Sequence, residues 1–167
     1  MNRILLVICC FAAMVFAIGC KKSLVGAERY REQARIDDEL MQKYITDNNL
    51  QDVAKRIDTS GVYYIVLNAG SGNAVYTNST KVTVGYTAKL LLTGQRVDST
   101  GTFHPSYTLG SGIIRSWQLG IPQVQKGGRV RILTPSRYAY GPYEQPKYGI
   151  PANSLMDFDI TLYDVTN

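Results

Sequence analysis

A chain of 167 residues is long enough for one domain with an extension, and 45% hydrophobic against 19% charged residues excludes disordered and coiled-coil classes. The formal charge of +5 is spread over scattered Lys and Arg with no basic run, so no nucleic-acid partner is expected. The three cysteines, Cys9, Cys10 and Cys20, all lie near the start, and His104 is the only histidine. The body of the chain therefore cannot hold a disulfide framework, a zinc ribbon or a cysteine nucleophile, and no metal or cofactor is expected. His104 sits in a His-Pro-Ser-Tyr stretch with no Gly-x-Ser-x-Gly elbow elsewhere, and is expected to be an exposed loop residue. Twelve tyrosines against four phenylalanines favour β-surfaces and clefts that are partly wet.

Residues 1–20 have the form of an export signal. Asn2-Arg3 gives a positive start, 4–16 is an unbroken apolar run too short for a comfortable membrane span, and small residues precede Cys20. The Ala-Ile-Gly-Cys ending resembles the bacterial lipoprotein signal, which implies acylation of Cys20 and a lipid that holds the chain on a membrane surface. Lys21 follows the cysteine where an aspartate is associated with inner-membrane retention, so the expected place is the cell envelope at the outer membrane. Residues 21–27 form a tether. Residues 28–60 form a helical segment, with a helix over 28–48 and a short turn over 52–56. Ile36, Leu40, Met41, Tyr44 and Ile45 make one apolar stripe on that helix, and charged residues cover its other faces. The stripe needs a cover: the following domain, or a second copy of the chain in a homodimer.

The remainder, 61–167, is β-rich. Runs of β-branched and aromatic residues bounded by turn residues predict strands at 62–67, 82–92, 96–99, 106–109, 129–134 and 158–165. On the longest, Val82, Val84, Tyr86, Ala88 and Leu90 share one face by alternation. One short helix, 113–119, interrupts the strands. Just before it, residues 109–117 (LGSGIIRSW) hold a Gly-x-Gly turn, two isoleucines and the chain's only tryptophan. On a helix Ile113 and Trp117 would share a face, either plugging a core or flooring an apolar pocket. The fold class is α+β: an antiparallel sheet over one short helix, preceded by an amphipathic helix.

Four segments in register, VGYTAKLLLTGQRVDST, LGSGIIRSWQLGI, TPSRYAYG and GIPANSLMDFDITL, resemble the FKBP family of peptidyl-prolyl cis–trans isomerases over 82–165. The resemblance implies a curled sheet wrapped over the short helix with an apolar pocket between. By the same resemblance, Tyr86, Asp98, Ile114, Trp117, Tyr140 and Phe158 are the catalytic positions, and Val97, Tyr107, Ile113 and Ile150 bind substrate. Trp117 is the floor, the Ile114 N–H and the Tyr140 hydroxyl bond substrate carbonyls, and Asp98 orients its neighbours without acting as acid or base. The sequence departs from the family pattern in several places. Val97 stands where a phenylalanine usually precedes the aspartate, Ala88 replaces a glycine, Pro105 stands near a usual aromatic, LGSGII is one residue short, and the 141–149 loop is lengthened.

The implied activity is isomerisation of Xaa-Pro bonds in exported polypeptide clients, with no cofactor. The alternative is a lipoprotein that binds proline-containing peptides or acts as a chaperone with little or no turnover.

Overall fold

The structure is a computed structural model and describes residues 26–167; the signal reading of 1–20, with Cys20, and most of the 21–27 tether lie outside those residues. A unit boundary falls between Tyr30 and Arg31, and the compact unit Arg31–Asn167 is described below.

Alternation builds the sheet. Its strands are β1 (Lys55–Ile57), β2 (Val62–Asn68), β3 (Lys81–Leu90), β4 (Arg96–Ser99), β5 (Ser106–Thr108), β6 (Arg129–Thr134) and β7 (Met156–Thr166). They run in the order β1-β2-β6-β7-β3-β4, with β5 also on β3, and every pairing is antiparallel. The spine is β3 against β7, paired from Lys81 with Thr166 to Leu90 with Met156. On β3 the residues Val82, Val84, Ala88 and Leu90 are buried on one face with Tyr86 half-buried among them, as alternation predicts.

That face carries the main core. Val62, Val130, Ile132, Phe158 and Ile160 join it, and Trp117 of the short helix α2 (Arg115–Gly120) lies on it. The helix comes close because Gly120 has no side chain: a Cβ there would meet Ile132 Cγ1 at 2.7 Å. The sheet's other face is covered by α1 (Ala27–Asp47). Its Met41 and Ile45 are buried against Tyr63, Leu133, Leu91 and Leu155, with Leu40 and Tyr44 at the flanks. Val62 and Tyr63, like Ile132 and Leu133, point to opposite faces because neighbours on a strand alternate. The chain's own sheet thus covers the apolar stripe of α1, and Arg131 Nη2 adds a hydrogen bond to the Tyr44 hydroxyl at 2.7 Å.

Three expectations need correction. The strand expected over 82–92 ends at Leu90, where the chain turns: Gly94 N–H bonds Leu90 O and Leu91 N–H bonds Leu155 O, both at 2.9 Å, so Leu91 reaches the second core. The helix expected over 113–119 starts at Arg115, because Gly112 is left-handed (φ +78°) and Ile114 is extended (φ −65°, ψ 151°). Two β-branched residues in succession favour the extended form. Ile113 and Trp117 therefore do not share a helical face. The turn expected over 52–56 is present at 51–53, where the Val53 and Ala54 N–H groups bond Leu50 O at 3.1 and 2.8 Å, but it gives way to β1 at Lys55–Ile57, which lies inside the segment read as helical, 28–60. Three residues carry too little periodicity to announce a strand; β1 exists because β2 offers it a partner.

Gly120→Ala should push α2 off β6 and lower stability by about 1–3 kcal/mol, as overpacking does. A urea melt measures this as a lower midpoint with an unchanged slope.

Candidate active site

A cavity of about 310 Å³ opens between the core face of β3 and β7, the start of α2 and two loops. Its floor is Trp117, 6% exposed, and three rings meet that indole edge-on. The ring centres lie at 4.9 Å for Tyr86, 5.6 Å for Phe158 and 5.9 Å for Tyr107, with interplanar angles of 71°, 84° and 85°. Edge-to-face contacts of this kind suit the quadrupoles of the rings and hold each in one orientation. Tyr86 comes from β3, Tyr107 from β5 and Phe158 from β7, so the sheet's curl brings three strands to one indole.

The polar groups are few and mostly committed. Tyr86 donates from its hydroxyl to Asp98 Oδ2 at 2.7 Å, and the Ser99 N–H donates to Asp98 Oδ1 at 2.8 Å. Asp98 is opposite Ala88 across the β3–β4 ladder, which sets it beside the pocket. With both oxygens accepting, it organises the wall. Burial, then the hydrogen bond to Asp98, pushes the Tyr86 phenol far above its ordinary pKa. Burial also raises Tyr107 and Tyr140, and the Asp98 charge adds to both. All three therefore stay neutral hydroxyls at physiological pH.

Two donors remain open to a ligand. Ile114 is the N-cap of α2, and no side chain caps that end. Its carbonyl accepts the Trp117 N–H at 3.1 Å, while its own N–H makes no internal hydrogen bond among the described residues. The Tyr140 hydroxyl, on a half-buried residue of the lining, has no internal partner among them either.

Of the positions taken from the sequence, Tyr86, Asp98, Tyr107, Ile113, Ile114, Trp117, Tyr140 and Phe158 all line this cavity. Two do not. Val97 is half-buried against the core beside it, and Ile150 is 2% exposed within that core, where its carbonyl accepts the Gln145 N–H at 2.8 Å and closes the 141–149 loop. Three lining residues were not foreseen: Ala88, Gly112 and Tyr148. Ala88 was legible, since it alternates with Tyr86 on β3. Tyr148 was not, because nothing in the periodicity of an irregular loop says which tyrosine turns inward. His104, expected to be exposed, is half-buried with its ring 3.9 Å from that of Tyr163 and takes no part in the pocket.

A family profile described as FKBP-type peptidyl-prolyl cis-trans isomerase matches residues 72–163. The chain belongs to that family. FkpA of Escherichia coli (strain K12), also described as an FKBP-type peptidyl-prolyl cis-trans isomerase, is 31% identical over 147 residues, 84% of this chain and 51% of that protein. Fkbp12 of Drosophila melanogaster is 35% identical over 108 residues, which cover 63% of this chain and 98% of the fly protein. The crystal structure of FkpA from Escherichia coli superposes with a TM-score of 0.67 at 28% identity, covering 98% of this chain and 71% of that one. This chain spans about half the length of the FkpA relatives it matches. The FKBP match includes every pocket residue named above.

An unfolded tyrosine ionises near pH 10. The folded pocket tyrosines keep their protons to higher pH, so their contribution to stability is complete below about pH 10 and is lost as pH climbs from there toward the raised folded values. Urea midpoints should fall across that window. Phenolate absorbance of the folded protein should lag behind that of the denatured chain.

Proposed function

We propose that this protein catalyses cis–trans isomerisation of Xaa-Pro bonds in exported polypeptides, and that the Trp117 pocket is where it does so. One observation carries the reading. Six aromatic residues line a cavity floored by Trp117, in which two donors unpaired among the described residues, the Ile114 N–H and the Tyr140 hydroxyl, mark where a peptide's carbonyls would sit.

Rotation about an amide must break its resonance, a barrier of ~18–20 kcal/mol. The uncatalysed event takes about 10–100 s at 25 °C. The planar amide is dipolar, and the twisted one has lost much of its charge separation. A proline ring seated on Trp117 between Tyr86 and Phe158 takes its imide out of water, and that penalises the planar form more than the twisted one. The Ile114 N–H and the Tyr140 hydroxyl hold the flanking carbonyls, so rotation is confined to one bond. Tyr86 bonded to Asp98 keeps the wall rigid. A turnover of about 10 s⁻¹ then asks for roughly 3–4 kcal/mol of differential stabilisation. Placement and desolvation are of that size, and no proton needs to be transferred.

The lipoprotein reading is part of the same proposal. It is supported by the apolar run of 4–16, the small residues before Cys20 and the lysines after it. An acyl chain on Cys20 would keep the pocket close to the membrane that exported chains cross or enter.

A protease-coupled assay on an Xaa-Pro peptide tests the activity. The intact protein should accelerate isomerisation; Trp117→Ala should cut kcat/KM by about tenfold or more, and Tyr140→Phe by several-fold, in variants with native circular dichroism. No acceleration by folded protein would sink the enzyme reading and leave proline-peptide binding, for which Val97 in place of a pocket ring is the favouring feature. Separately, Cys20→Ser should move the protein from the membrane fraction to the soluble one and abolish labelling by a fatty-acid probe.

A further inference from the structure

Asp37 is on α1, far along the chain from every pocket residue, and it is completely buried. A buried carboxylate is costly unless it is paired and hydrogen-bonded. Its Oδ1 accepts from Gln33 Nε2 at 2.8 Å and its Oδ2 from the Ser136 hydroxyl at 2.7 Å, with Arg137 Nη1 at 3.9 Å from that same oxygen. Around it, Arg137 donates to Ala34 O at 3.4 Å, Asp38 Oδ1 at 3.1 Å and Ser60 O at 2.7 Å. Ala34, Asp37 and Asp38 follow one another at helical spacing, so one face of α1 grips the Ser136-Arg137 step. Docking of α1 does not require this. Met41 and Ile45 already bury the helix further along.

What Ser136 holds explains the grip. Its carbonyl accepts the Ala139 N–H at 2.9 Å and the Gly141 N–H at 2.8 Å, the amides on either side of Tyr140. Gly141 O in turn accepts the Asn153 N–H at 2.8 Å. The turn that presents Tyr140 is therefore anchored at one end on a residue that α1 fixes through a buried charge. We propose that Asp37 is a positioning residue for the pocket: through Ser136 it sets where the Tyr140 hydroxyl stands. This rests on the reading above in which that hydroxyl meets the substrate.

The test uses the protein labelled with ring-¹³C tyrosine, the Tyr140 signal being assigned from Tyr140→Phe. Asp37→Asn keeps the shape of the side chain and loses its charge; Ser136→Ala leaves α1 untouched and removes the hydroxyl. Both should shift or broaden the Tyr140 signal while those of Tyr86 and Tyr107 stay in place. Met41→Ala, which loosens α1 at its apolar stripe, should lower stability without moving Tyr140. In the isomerase assay both clasp variants should lower kcat/KM by several-fold, and by no more than Tyr140→Phe does, since they act only by misplacing that contact. That loss should disappear in a Tyr140→Phe background, since coupled residues are non-additive. A Tyr140 signal unmoved in folded Asp37→Asn and Ser136→Ala overturns the proposal, and so does a loss of turnover that is equal with and without the Tyr140 hydroxyl. Should Tyr140→Phe alone keep full turnover, the proposed role of that hydroxyl fails, and the Tyr140 signal by itself decides whether Asp37 places the ring.

Discussion

Trp117 stands where it does because Gly120, one turn further along α2, has no side chain. The space a Cβ would fill is taken by Ile132 of β6, and this contact sets how deeply the helix sinks into the curl of the sheet. Everything in the pocket is measured from that depth. Tyr86, Tyr107 and Phe158 can all reach the indole edge-on only if it lies low between their strands. Ile114 can offer its N–H because it stands at the start of the helix, where backbone N–H groups have no intrahelical partner, and no side chain caps that end. A helix raised by even one methyl group would loosen three ring contacts at once, since close-packed interiors transmit small displacements.

The pocket is polar in a restricted sense. Asp98, the one carboxylate in its lining, has both oxygens occupied, one by a phenol and the other by a backbone amide. The phenols around it hold their protons through burial. Such a wall can orient a dipole and exclude water, and its phenols stay protonated. That matches a reaction in which an amide twists and no bond to a heavy atom is made or broken.

Much of this was legible. Alternation on β3 predicted the inward face from Val82 to Leu90, and of the ten site residues implied by the FKBP resemblance eight line one cavity. The apolar stripe of α1 announced a buried helix. What escaped was whatever depends on tertiary context. Leu91 continues an apolar run that reads as strand, yet it serves a different core because the chain turns beneath it. Ile113 and Ile114 have helical spacing to Trp117, but the left-handed Gly112 and the extended Ile114 bring them to the cavity from outside the helix. The Asp37–Ser136 bond joins residues 99 positions apart, and a charge among other charges on a helix carries no mark of burial.

The short strands at the margins of the sheet have a consequence of their own. Its two ends are β1, three residues long, and β4, four, while β5 adds three residues along β3. An extended polypeptide seeking to add itself as a further strand finds too few free backbone groups to hold on to. Such a chain has to be met through its side chains instead. Margins this short leave the domain a poor template for edge-to-edge pairing with incompletely folded chains.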